Sequence, residues 1–165
     1  MEVFQTIHTR RSVRNYKSCA VSQNQIEQIL DAAISAPSGK NRMPWKLRVI
    51  IDKITIEWLA AKTIYSHWLS TAPLCIAVVL DKKTSYDYIK DVQSCGAVMQ
   101  NMLLAAHGLG LGSCWIGEIL GYQEEVMQFL NIARDDYELM GLVAIGYAED
   151  TPVPRLSRHV DDFLI

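Results

Sequence analysis

No apolar run in this chain approaches the roughly 20 residues that a bilayer-spanning helix needs, so neither a membrane span nor a membrane partner is expected. A surplus of one charge is also missing. With a formal net charge of -2 and a pI near 6.1, nothing draws the whole molecule toward nucleic acid or anionic lipid, and any basic site must be local. No nucleic-acid partner is expected. The four cysteines, Cys19, Cys75, Cys95 and Cys114, lack the close paired spacing of a zinc site, and no secretory signal precedes them. They read as reduced thiols in a cytosolic, cytoplasmic protein, and no metal is expected.

Against those absences stands an apolar content of 50%, high for 165 residues. A chain of that length suits one domain over 1–165 that buries about two thirds of its unfolded surface. Spare apolar surface then points toward burial in a dimer.

Taken in order, Val3, Phe4 and Ile7 predict a short amphipathic helix over Val3–Thr9, followed by the basic run Arg10-Arg11-Ser12-Val13-Arg14. In an extended segment Arg10, Ser12 and Arg14 lie on one face, an arrangement of guanidinium forks and a hydroxyl apt for phosphate. Taken alone, the run also reads as a solvated charge cluster. Ser22 and Gln25 have capping-box spacing ahead of Ile26, Ile29, Leu30, Ala33 and Ile34, which predicts a helix. Pro37 stops it. The loop Ala36-Pro-Ser-Gly-Lys-Asn-Arg-Met-Pro-Trp45 then offers Ser38, Lys40, Asn41 and Arg42 with no acidic residue among them. It suits an anionic, hydrogen-bonding ligand, and it equally fits a solvated connector.

Beyond the loop, Leu47–Ile51 reads as a buried strand and Ile54–Leu69 as one helix, with Trp58 and Trp68 in the core. Pro73 precedes a continuous apolar run, Leu74–Leu80, expected to be a central strand. Tyr88–Leu109 predicts the longest helix, apolar on more than one face and a candidate dimer spine. His107 near its end reads as structural or exposed rather than as a metal ligand.

The run Gly108-Leu-Gly-Leu-Gly-Ser113 is not a dinucleotide fingerprint, because serine holds the third glycine position and the order is helix then strand. Gly39-Lys40 is not a phosphate loop, since Asn41 and Ile34 stand where serine or threonine and the first glycine are needed. A helix near Gln123–Leu130 and a buried strand over Leu139–Tyr147 follow. The basic tail, with Arg155 and Arg158, could reach back to the Arg10 region, where gathered arginines would call for an anion.

Four stretches in this order, Arg10–Arg14, Ala36–Trp45, Gly108–Gly117 and Ala144-Ile-Gly-Tyr147 with its basic tail, resemble the nitroreductase family of FMN-dependent oxidoreductases in its shorter form. The resemblance runs nearly end to end. It implies an α+β, three-layer fold: a mixed, mostly antiparallel central sheet flanked by helices, in a homodimer with FMN at the subunit interface. Arg10 and Ser12 would hold phosphate and ribityl chain, with Arg11 also among the cofactor-binding residues and Arg155 and Arg158 closing on the phosphate. Arg14 would sit by the pyrimidine edge, Ile116 and Gly117 would present backbone to the ring, and Pro37, Ser38 and Asn41 would come from the opposing subunit.

No side chain is implied as a catalytic residue; Arg14 and Gly117 would tune the flavin. NADH or NADPH would reduce it, and a small-molecule acceptor such as a nitroaromatic or quinone would follow in the same site by ping-pong hydride transfer. The alternative is a non-catalytic FMN-binding dimer for flavin storage or sensing. Two departures stand out: Met43 occupies a position usually held by glutamine, and the long helical insertion of larger members is missing. Lys40 and Arg42 read as solvated surface charge, with receipt of a nicotinamide cofactor's phosphate as the other reading.

Overall fold

A computed structural model describes residues 2–153 and 159–165 of the chain. Its centre is the run Leu74–Asp81, strand β2, in which every residue is buried. Only a strand covered on both faces and paired on both edges carries so unbroken an apolar sequence. β2 pairs antiparallel with Trp45–Ile50 (β1) on one side and with Tyr137–Gly146 (β4) on the other, and Gly112–Ile116 (β3) completes the order β1-β2-β4-β3. All four strands are antiparallel. A parallel element enters at the β3 edge, where Ser12 bridges Ser113.

Alternation along β2 divides the core into two layers. Cys75, Ala77 and Val79 face Lys53–Ala61 (α3), Ser66–Leu69 (α4) and Gln123–Phe129 (α6). Leu74, Ile76, Val78 and Leu80 face Gln23–Ile34 (α2) and Tyr88–Gly108 (α5). Helices on both faces of one sheet make the three-layer α+β fold that the resemblance implies.

The helix signals with local chemistry hold closely. The α2 capping box forms as the spacing predicts: Ser22 Oγ accepts from the Gln25 amide, and the Gln25 side chain accepts from the Ser22 amide. Ile26, Ile29 and Ala33 are buried against α5. At the other end of α5, Gly110 has φ 78° and turns the chain into β3, so the glycine run is a helix stop. Val3–Thr9 is helical (α1), but Val3, Phe4 and Ile7 are exposed and only Thr6 is buried. Among the described residues nothing covers the apolar side of α1.

Two expectations are corrected. Leu47–Ile51 is not a buried strand: β1 is an edge strand whose Lys46 and Arg48 face water, and Ile51 lies beyond it, 67% exposed. With pairing on one side only, β1 needs an apolar surface on alternate residues alone. Ile54–Leu69 is not one helix. The Thr63 hydroxyl donates to the Ala60 carbonyl and accepts from the Tyr65 amide, while the Lys62 and Thr63 amides bond three residues back. Side-chain competition for helix partners breaks the segment into α3 and α4. Trp68 is core as expected, whereas Trp58 is half-buried and stacks on Phe129 at 3.9 Å.

Candidate functional site

The extended segment after α1 runs along the outer edge of β3, fastened by the Val13 amide, which donates to the Ser113 carbonyl at 3.0 Å. Two side chains set its depth. Val13 is buried and lies against Gly112, where an added β-carbon would come within 2.6 Å of Val13 Cγ2. Tyr16 is buried too, and its hydroxyl donates to the Val13 carbonyl at 2.8 Å. Burying Val13 turns Ser12 and Arg14 outward, since neighbours in an extended chain face opposite ways.

Arg10, Ser12 and Arg14 therefore gather on one edge. Arg10 is half-buried, and Ser12 and Arg14 are exposed. The three lie near enough to Cys114 to act on its thiol: burial pushes its pKa up, while Arg14, Ser12 and Arg10 each draw it partly back. Arg11 points elsewhere. Its Nη1 donates to the His8 and Arg10 carbonyls at 2.7 Å each, capping the end of α1. Arg11 Nε is buried with no hydrogen-bond partner among the described residues.

The segment that follows β4 lies beside this edge, as the Glu149 amide donates to the Asn15 carbonyl at 3.0 Å and Asn15 Nδ2 donates to Asp150 Oδ2 at 3.0 Å. Ser12, Arg14, Thr151 and Val153 line a cavity of about 280 Å³ between the two. The tail thus does come back to the basic run up to residue 153. Arg155 and Arg158 lie outside the described residues.

His107, near the end of α5, completes this edge. Its Nε2 is 2.7 Å from Thr9 Oγ1, and because that hydroxyl already donates to the Gln5 carbonyl, Nε2 carries the proton and donates. Burial, followed by the charges of Arg10 and Arg11, lowers the His107 pKa. The unfolded chain takes up this proton at an ordinary imidazole pKa and the folded chain does not, so the stability present above about pH 6.5 is lost as pH falls through the depressed folded value. Replacing His107 by glutamine is expected to flatten the fall in Tm between about pH 7 and pH 5, read by calorimetry. An unchanged slope would put the pH dependence elsewhere.

Next along β3 stand Ile116 and Gly117. Ile116 is 1% exposed and its side chain is core, which leaves only its backbone for a ligand. Gly117 has φ -86° and ψ -25°, and an added β-carbon there would meet nothing within 4 Å. The packing of the described residues does not require this glycine; the open face suits a flat group laid against the backbone. Nearby, Trp115 is 41% exposed and its ring approaches Gly96 of α5.

The other half of the set is the loop after α2. Pro37 and Ser38 line a groove of about 300 Å³ with Gln93, Ser94 and Ala97 of α5, and Asn41 is exposed. Lys40, Asn41 and Met43 all have left-handed backbone, φ 54°, 53° and 48°. Asparagine tolerates this region; lysine and methionine pay about 1–2 kcal/mol each. The loop is held by the Met43 amide donating to Ser38 Oγ at 2.9 Å and by Gly39, whose missing side chain admits the Tyr86 hydroxyl. Tyr86 could not have been paired with this loop from sequence, because no local pattern links the two.

Within one chain the two halves do not meet. Ser94 flanks the loop and His107 flanks the basic edge; thirteen residues of α5 separate them, about 20 Å at 1.5 Å per residue. No cluster of metal-ligating side chains occurs among the described residues, and no described helix is long and apolar enough to cross a membrane.

Among known proteins, the family model described as the nitroreductase family matches residues 7–147. A relative from Archaeoglobus fulgidus, provisionally described as an NADH dehydrogenase/NAD(P)H nitroreductase, is 35% identical over 162 residues, covering 90% of this chain and 87% of the relative. An FMN reductase (NAD(P)H) of Bacillus subtilis is 28% identical, the match covering 96% of this chain and 71% of that one. A crystal structure from Desulfovibrio desulfuricans, provisionally described as a nitroreductase in complex with FMN, has a TM-score of 0.95 and 37% identity, covering 100% of this chain and 96% of that one.

Proposed function

The chain belongs to the nitroreductase family, and from that premise we propose that it is an FMN-dependent oxidoreductase that uses NADH or NADPH to reduce nitroaromatic, quinone or similar acceptors. The observation that carries this reading is the β3 edge: Arg10, Ser12 and Arg14 near Cys114, with Gly117 just past the end of the same strand, where an added β-carbon would meet nothing within 4 Å among the described residues. Cationic forks and a hydroxyl match a phosphate and polyol, and bare backbone matches a planar ring. The donor set therefore fits FMN.

When bound, FMN would supply the two-electron hydride chemistry that links a nicotinamide to the acceptor in a ping-pong cycle. The chain's residues orient and tune. Arg10 and Ser12 hold the phosphate and ribityl end, with Arg155 and Arg158 the candidates to close on it. Arg14 would place a positive charge beside the pyrimidine edge, which would favour the electron-rich state of the ring. Ile116 and Gly117 offer main chain to the ring, and no side chain has to act as nucleophile.

The reading also takes the assembly to be a homodimer with FMN at the interface. One protomer presents Arg10–Arg14 and its partner presents Pro37, Ser38 and Asn41, which unites two halves that stand about 20 Å apart along α5 in a single chain. The uncovered Val3 and Phe4, 69% and 78% exposed, give such a dimer apolar surface to bury.

The visible spectrum of the purified protein, with release and identification of any chromophore and then anaerobic addition of NADH and NADPH, tests the proposal. One FMN per chain, bleached by either nucleotide, is the expected result. FMN that stays oxidised would turn the reading to flavin storage or sensing. A colourless protein that does not take up FMN would overturn it.

A further inference from the structure

A second basic cluster lies away from the β3 edge, at the strained loop. Lys40 Nζ, Lys90 Nζ and Arg42 Cζ stand 4.8, 5.4 and 5.8 Å from the centroid of the Tyr86 ring. The ring is fixed in place. Its hydroxyl end fits against Gly39, and the buried carboxylate of Asp91 accepts from the Ser85 hydroxyl and from the Tyr86 and Asp87 amides.

Acidic compensation is partial. Lys90 pairs with Asp87 at 2.7 Å, while among the described residues no carboxylate pairs with Lys40 or Arg42. Left-handed backbone at residues 40, 41 and 43 is what bends the loop so that both cations turn toward the one ring. Like charges repel, so three cations around one ring, one of which, Lys90, also lines the Pro37–Ala97 groove, are best satisfied by an incoming anion.

Resting on the flavin reading above, we propose that Lys40, Arg42 and Lys90 around Tyr86 form an anion-recognition subsite that selects flavin-site substrates carrying a phosphate or carboxylate. The expected source is the 2′-phosphate by which NADPH differs from NADH. The guanidinium of Arg42 grips two phosphate oxygens, Lys40 and Lys90 add point charge, and the ring keeps all three heads together when no anion is bound. The subsite discriminates among substrates and takes no part in the hydride step.

The test uses the FMN-loaded protein and the double variant Lys40→Asn/Arg42→Gln, which removes both unpaired charges. Asparagine suits the left-handed backbone at position 40. The wild type is expected to be bleached faster by NADPH than by NADH, a preference that weakens with added salt. In the variant the ratio of kcat/KM for NADPH to that for NADH falls about tenfold or more, with NADH turnover and FMN content kept.

Should that ratio hold while 4-nitrobenzoate loses turnover relative to neutral 4-nitrobenzyl alcohol, the subsite stands and the acceptor supplies its anion. If neither ratio moves, the proposal is overturned. It is also overturned if the variant loses FMN, because the cations would then be holding the flavin itself. A wild type without flavin, or not bleached by either nucleotide, fails the function reading before any variant is made.

Discussion

Alanine at both Arg10 and Arg14 is expected to yield a folded protein that purifies without colour and binds added FMN about a hundredfold or more weakly, the combined loss of two charge-assisted contacts. The fold should tolerate the change. Arg14 is exposed and Arg10 half-buried, and the segment that carries them is anchored by Val13 and Tyr16. Flavin fluorescence titration beside urea unfolding separates the two effects. Loss of stability with FMN affinity retained would show the arginines to be structural and would remove the phosphate-binding assignment. The same titration of Arg11→Ala is expected to show the milder change, since its Nη1 already bonds the His8 and Arg10 carbonyls.

The second large effect should come from a methyl group. Alanine at Gly112 puts a β-carbon 2.6 Å from Val13 Cγ2 and 2.7 Å from Val13 Cβ, and a short branched side chain has no flexible end to move aside. Overpacking of this kind costs about 1–3 kcal/mol. Relief requires Val13 to lift, which carries Ser12 and Arg14 away from the edge where they gather, so FMN affinity should fall together with stability. Adding Val13→Ala should restore part of both, a coupling that a double-mutant cycle reads directly. Gly112→Ala with unchanged stability and FMN affinity would mean that this contact does not set the segment's depth.

Much of the fold is legible in the sequence wherever the signal is local. Ser22 and Gln25 cap α2 by their spacing alone, and the burial of β2 follows from seven consecutive apolar residues. The extent of α5 is written in its length and its glycine stop. The motif order from Arg10 through Ile116-Gly117 was also readable, and it led to the family that the comparison over residues 7–147 supports. These features are fixed within a few residues by backbone sterics, capping and side-chain period, and they need no knowledge of what lies across the fold.

What failed to be legible depends on neighbours. β1 looked buried because its residues are apolar enough, yet its position at the sheet edge exposes alternate side chains. The break between α3 and α4 turns on which carbonyl the Thr63 hydroxyl finds. Tyr86 joins Lys40 and Arg42 only when α5 brings its N-terminal end to the loop after α2, and Arg11 leaves the basic edge only because the end of α1 offers it two carbonyls. The sequence by itself determined most of the elements, their order and the chemical kinds of group available to a flavin. Tertiary structure alone decided which of those groups share a surface, because contacts between distant segments are set by how whole faces pack, and no pattern within a short window encodes that.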